Sequence, residues 1–273
     1  MGFEVFDNYE CDGQMNITDC TGNRQLTHLS LFSGIGGLDL AAEWAGFKSV
    51  GQCEWADYPT KVLEKHWPDV PRWRDIRTLT GESFYERTNR RTVDVISGGF
   101  PCQPFSVAGK REGKDDDRYL WPEMLRVIRE LRPSWVVGEN VSGLIRIALE
   151  EILSSLKEEG YEARAYSSEA RNVGGLFRGE RIAIVASSND RSTALWGDRE
   201  FQTDGEVETG RDHNRGRTEK SCLWKRWEVE PRPYGVVDGV PDRVDRLRCL
   251  GNAVMPQQFY SIFQAIADIE LHS

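Results

Sequence analysis

Ser97-Gly98-Gly99-Phe100-Pro101-Cys102-Gln103-Pro104-Phe105-Ser106 follows directly on Thr92-Val93-Asp94-Val95-Ile96. The upstream residues read as a short buried strand, so the glycine pair and the proline-flanked cysteine fall just past its C-terminal end. That is where open α/β sheets place their ligands. Two readings of Cys102 stand side by side. A lone thiol is usually a small buried apolar group. Stiffened by prolines and approached closely through glycines, it can instead be a nucleophile.

Outward from this stretch the chain alternates. Strand-like apolar runs occur at 28–32, 49–53, 93–97, 135–138, 163–167 and 182–186, and helical patterns at 38–45, 59–66, 122–131 and 148–159. This alternation predicts an α/β fold, a doubly wound, mostly parallel sheet with helices on both faces. Residues 1–25 are polar and irregular and read as an N-terminal extension. The rhythm fills 26–187. Residues 188–238 show little periodicity and read as a small insert. In 239–273, Phe259, Ile262, Phe263, Ile266 and Ile269 recur at helical spacing, returning the chain to the main domain.

At 273 residues the chain suits one large domain, or one domain with a small insert. Mean hydropathy of −0.55 marks a very polar surface. No apolar run is long enough for a membrane span, and Met1–Asp7 has no signal-peptide pattern, so a cytoplasmic location is expected. Six widely spaced cysteines without a C-x-x-C argue against a zinc site and a disulfide framework. A net charge of −9 does not suit a non-specific nucleic-acid binder. Such a partner would need a local basic surface, and Arg211, Arg215, Arg217, Lys220, Lys225 and Arg226, with Trp224 and Trp227 among them, could form one. The alternative is a solvated loop whose tryptophans pack a small core.

The first strand runs into Leu31-Phe32-Ser33-Gly34-Ile35-Gly36-Gly37-Leu38-Asp39-Leu40. Glycines here let a ligand lie against the backbone near a helix N-terminus. The dinucleotide fingerprint G-x-G-x-x-G needs a small residue where Asp39 stands, which disfavours NAD or FAD. Phe32, with Glu54 and Trp55 at the end of the next strand, suggests an adenosine-containing ligand: Glu54 for the ribose hydroxyls, Trp55 over the adenine. A plain strand–turn–helix with a surface glutamate remains the alternative.

Further on stand Gly138-Glu139-Asn140-Val141, Arg178-Gly179-Glu180-Arg181 and Leu250-Gly251-Asn252-Ala253-Val254. In this order, with the two glycine-rich stretches, the set resembles the DNA (cytosine-5)-methyltransferase family of bacterial and phage type, over about residues 27–187 and 238–270. The resemblance implies the S-adenosylmethionine-dependent, Rossmann-like methyltransferase fold, with 26–187 as the cofactor-binding and catalytic domain and 188–238 as the target-recognition insert. It implies S-adenosylmethionine bound by Phe32, Gly34, Gly36, Glu54, Trp55, Asp75 and Ile76, with Pro101 and Leu120 completing the pocket. Asn252 would tie the last segment near the cofactor loop. Cys102 would be the nucleophile, Glu139 the acid at the base, and Arg181 a base contact. The substrate would be a cytosine flipped from double-stranded DNA. Lys110, Arg111 and Lys114 beyond Cys102, and Arg215 and Arg217 in the insert, would contact that DNA. No metal is implied, and a monomer is expected.

One departure stands out. The family carries Q-x-R-x-R where this chain reads Phe177-Arg178-Gly179-Glu180-Arg181, so Arg178 would supply the missing charge from one position away. Competing functions are an RNA cytosine methyltransferase, which the short insert would suit, a DNA-binding relative without catalysis, and a nicotinamide oxidoreductase, already weakened by Asp39.

Overall fold

Strand β1 (Thr27–Leu31) is buried along its whole length, as a strand covered on both faces must be. The computed structural model describes residues 24–101, 119–146, 148–175, 177–188 and 243–272. Within these, β1 joins β2 (Lys48–Cys53), β3 (Arg72–Trp73), β4 (Val95–Gly98), β5 (Trp135–Val141), β6 (Tyr161–Glu169) and β7 (Glu180–Ser188) in one sheet, ordered β3-β2-β1-β4-β5-β7-β6. The pairings from β3 to β5 are parallel, and β7 runs antiparallel to both β5 and β6. The sheet is thus doubly wound and mostly parallel, with one reversed strand. The link from β6 to β7 holds no crossover helix, and without one the chain can return only antiparallel.

Side chains alternate across the sheet. Trp135, Val137, Ala183 and Val185 face α1 (Gly37–Trp44) and the C-terminal helix α7 (Pro256–His272), where Leu38, Ala41, Phe259, Phe263 and Ile266 close one core. Val136, Ile182, Ile184 and Ala186 face the other way. There α3 (Gly81–Thr88), α4 (Trp121–Leu131) and α5 (Leu149–Glu158) bring in Phe84, Met124, Val127, Ile128, Ile152 and Leu156. Helix α2 (Asp57–His66) follows β2, and α6 (Arg243–Asn252) precedes α7.

The strand expected at 93–97 starts at Val95, because the Asp94 carboxylate turns to β1 and accepts from Thr27 N and Oγ1 at 2.7 Å each. Strand β6 is longer than expected, and β3 and α3 were not legible. Two residues are too few for a period, and α3 buries only Phe84, resting instead on a capping box between Thr80 and Ser83. Of the N-terminal extension only Arg24 and Gln25 are described. Arg24 pairs with Asp94 and with Glu270 of α7 (3.0 Å), and Glu270 also accepts from Trp135 Nε1 at 2.9 Å. This network closes the N-terminal ends of β1, β4 and β5, while the opposite ends stay open for a site. Strand order reverses direction around β1 and β4, which fixes the crevice between the loops that follow them. Among the described residues no helix is long and apolar enough to cross a membrane.

Candidate active site

The loop after β1 turns on left-handed residues: Phe32 at φ 52°, Gly34 at 55° and Gly36 at 87°. A side chain at Gly36 would run into the Trp67 ring at 2.5 Å, whereas a Cβ on Gly34 would meet nothing within 4 Å. The backbone at Gly34 is therefore open to a ligand. Glu54 braces this loop: its two carboxylate oxygens accept from Gly34 N and Ala56 N, each at 2.8 Å. Each oxygen keeps capacity for a hydroxyl donor. Trp55 beside it is 70% exposed, an uncovered indole face at the end of β2. Asp75, after β3, accepts from Arg77 N at 3.0 Å and lies 3.8 Å from its guanidinium. Ile76 packs its side chain into the core, and its carbonyl accepts from Leu79 N at 3.1 Å and from Arg126 Nη2 at 2.8 Å.

Asp39, which set this loop apart from a dinucleotide turn, is fully buried under it. Its carboxylate accepts from Gln52 Nε2 at 2.8 Å, and burial pushes its pKa up to about 6.

Strands β4 and β5 pair with Gly98 opposite Gly138, which sets Glu139 beside Gly99. A Cβ on Gly99 would lie 2.7 Å from Glu139 Oε2, and one on Gly98 would lie 3.1 Å from the Leu31 carbonyl and the Met124 sulfur. In the sequence these glycines read as allowing a close approach to the cysteine. What they directly make room for is protein, and Gly99 in particular for the Glu139 carboxylate. Across the antiparallel pair, Arg181 stands opposite Val141, two positions from Glu139 and so on the same face. Its Nε lies 3.0 Å from Glu139 Oε1, with the two side chains only 16% and 12% exposed. Burial pushes the Glu139 carboxyl up to about 7, against the opposing pull of Arg181. Arg181 also donates to the Glu180 and Ala253 carbonyls, at 3.2 and 3.3 Å.

Arg178 does not join this pair. Its Nε is 2.9 Å from Glu169 and its Nη2 3.9 Å from Glu180, on a side chain 67% exposed, so its charge is engaged outside the site. Gly179 takes φ 45°, and a Cβ there would meet the Phe177 ring at 2.4 Å. An arginine at that position would be strained by the left-handed backbone and would have to push the exposed Phe177 ring aside.

Cys102, Lys110, Arg111, Lys114, Arg215 and Arg217 lie outside the described residues. The points flanking the cysteine segment are fixed, however. Leu120 N donates to the Pro101 carbonyl at 3.5 Å, and Phe100 packs on Trp121 with ring centroids 5.0 Å apart. Asn140 Nδ2 donates to the Phe100 carbonyl at 3.0 Å, holding the chain two residues before Cys102. Sequence reasoning gave Asn140 no role, although its place beside Glu139 was the available signal. Asn252 is exposed at the end of α6. The contact with the glycine loop comes from Val254, whose carbonyl and Cγ1 would lie 2.7 and 2.8 Å from a Cβ on Gly37.

The crevice at the switch point holds a buried acid paired with an arginine, and the chain that builds it is similar to known proteins. The type II methyltransferase M.HgiCII of Herpetosiphon aurantiacus is 38% identical over 170 residues, 59% of this chain and 37% of that protein. M.Eco47II of Escherichia coli is 36% identical over 183 residues, 63% of this chain and 42% of its own length. The chain thus aligns with about two fifths of each. Among solved structures, the Dnmt2 methyltransferase of S. pombe superposes with a TM-score of 0.51 at 22% identity, covering 69% of this chain and 62% of that one. A DNMT2 variant from Spodoptera frugiperda gives 0.51 at 23% identity, covering 61% and 51%. Both likenesses concern the fold. The family model for C-5 cytosine-specific DNA methylase matches residues 26–227, from the start of β1 past the end of the sheet, and on that match the chain belongs to this family.

Proposed function

We propose that the protein methylates C5 of cytosine in double-stranded DNA, using S-adenosylmethionine and a target nucleotide turned out of the duplex. The observation that carries this reading is the buried Glu139–Arg181 pair, 3.0 Å apart at the strand ends beside the Pro101–Leu120 closure. Carbon 5 of cytosine is a poor nucleophile. Attack of the Cys102 thiolate on C6 forms an S–C6 bond and moves an electron pair toward C5. A carboxyl with a pKa near 7 can donate a proton or a short hydrogen bond to ring N3, which eases that attack. Arg181 holds the carboxyl in place and offers further donors to the ring. Once C5 has taken the methyl group, which would leave the donor as a neutral thioether, a base removes the C5 proton. The pair from that C–H bond re-forms the C5–C6 double bond as the thiolate is expelled, and N3 returns its proton to the Glu139 carboxylate.

S-adenosylmethionine supplies an electrophilic methyl on a sulfonium. The residues present fit it. Gly34 leaves its backbone open, Glu54 keeps acceptor capacity for two ribose hydroxyls, Trp55 offers an aromatic face, and Asp75 can accept from the adenine amino group. A free thiol with a pKa of about 8.5 is only a few per cent ionised at neutral pH, so Cys102 deprotonation must be coupled to base binding or to its surroundings.

The deciding experiment is transfer of tritiated methyl from S-adenosylmethionine to duplex DNA, RNA and a cytosine-free duplex. Label is expected in cytosine-containing duplex only. Label confined to RNA would replace the DNA reading, and no label anywhere would overturn the activity. A duplex with 5-fluorocytosine should trap the wild type covalently, because fluorine cannot leave as a proton does. Trapping by Cys102→Ala would remove the cysteine from its role.

A further inference from the structure

Ala170 N donates to the Arg178 and Gly179 carbonyls, at 2.8 and 3.3 Å, across the turn that leads into Arg181. Gly179 stands two residues before it in the left-handed region, with no side chain to fix it. A residue from a distant part of the chain closes on this turn. Gln258, in the first turn of α7 and 4% exposed, donates through Nε2 to the Gly179 carbonyl at 3.0 Å and to the Ser168 carbonyl at 2.8 Å. Ser168 is the β6 residue directly opposite Arg181 in the β6–β7 register. The amide therefore ties β6, at the residue facing Arg181, to the turn that enters β7. Five residues earlier, the Ala253 carbonyl accepts from Arg181 Nη2 at 3.3 Å, and the intervening Val254 packs on Gly37 of the cofactor loop.

We propose that Gln258 is a positioning residue for the reaction, holding Arg181 against Glu139 by fixing the glycine turn and the strand facing it. The segment 253–258 then links the cofactor loop to the catalytic pair. This rests on the roles proposed above for Glu139 and Arg181. It also accounts for how the turn keeps its arginine in place, since Phe177 and Gly179 stand where the family pattern has a glutamine and an arginine. Without this tie, Arg181 relaxes away from Glu139, and the carboxyl loses the positive charge that opposes its burial.

The test replaces Gln258 with methionine, close in volume and without a donor, and with asparagine, which keeps an amide too short to reach both carbonyls. Gln258→Met is expected to lower kcat about ten- to a hundredfold, with KM for S-adenosylmethionine unchanged, and Gln258→Asn to fall between. The decisive readout is the titration of Glu139, followed by NMR of carbon-13-labelled glutamate and assigned with Glu139→Gln. Its midpoint should move to higher pH in Gln258→Met and by less in Gln258→Asn. A purely structural role would lower the folded fraction and leave that midpoint where it is. An unchanged midpoint in the folded protein overturns the inference, whatever happens to the rate. If the wild type transfers no methyl at all, the proposed function fails, and the Glu139 titration still decides the role of Gln258.

Discussion

Gly99 shows how narrowly the site is fitted at the scale of single residues. A methyl group there would lie 2.7 Å from Glu139 Oε2, the far end of a flexible side chain. Gly99→Ala should therefore fold, with unfolding free energy within about 1 kcal/mol of wild type, while the carboxylate swings off Arg181. Methyl transfer should fall about a hundredfold or more, the usual weight of a general acid. An alanine variant with full activity would show that Glu139 need not sit where it does. The same carboxyl sets a pH dependence. Burial raises it from 4.5 to about 7, so its donor form declines as pH climbs through 7, and kcat should fall on that side once thiolate supply has been allowed for. For stability the sign is the same: its contribution is complete below about 4.5 and is lost as pH rises through 7. Urea unfolding at several pH values should show that slope flattened in Glu139→Gln. At the cofactor loop, Glu54→Ala removes a charged acceptor worth on the order of 1.5–3 kcal/mol. Calorimetry should then find S-adenosylmethionine bound roughly ten to a hundred times more weakly.

At the scale of elements, helix α7 does two jobs with two faces of one turn pattern. Phe263 meets His28 and Phe47 edge-on, at 5.5 and 5.8 Å, and is fully buried. Phe263→Ala should cost about 3–5 kcal/mol in chemical denaturation, while molecules that remain folded keep the Glu139 titration of wild type. Loss of under about 1 kcal/mol would mean that the helix is anchored mainly through its polar network. The apolar face of α7 was legible from the spacing of Phe259, Phe263 and Ile266, as were most strands, because burial on both sides of a sheet leaves continuous apolar runs. Gln258 and Asn140 were not legible in their roles, since both act on backbone carbonyls, and an acceptor carbonyl leaves no mark in a sequence. The reversed strand β7 was hidden for a related reason: its residues alternate between two cores just as those of a parallel strand do, and direction depends only on the link before it. Arg178 misled because charge can be counted in a sequence, while its commitment to Glu169 depends on how β6 and β7 align.

Over the whole molecule the two ends of the sheet differ. The N-terminal ends of β1, β4 and β5 are locked by Arg24, Asp94, Glu270 and Trp135, and the C-terminal ends carry the glycine loop, the Glu139–Arg181 pair and the root of the cysteine segment. A net charge of −9 repels a polyanion at long range, so an affinity for DNA would have to come from arginines and lysines gathered locally. If Arg215 and Arg217 hold phosphates, Arg215→Ala and Arg217→Ala should weaken binding to every duplex alike. Each should also flatten the plot of log affinity against log salt by about 0.9 for every phosphate left unneutralised. If either reads a guanine edge instead, its removal should cost about 1–3 kcal/mol at one base pair and relax the sequence preference there. Methylation across a randomised duplex library, repeated at two salt concentrations, separates these outcomes. Unchanged affinity, salt slope and preference in both variants would take the two arginines off the DNA. Recognition would then fall to the segment after Cys102, where Lys110→Ala, Arg111→Ala and Lys114→Ala should show the weakened salt dependence, because these three are the first cations after Cys102 in the sequence.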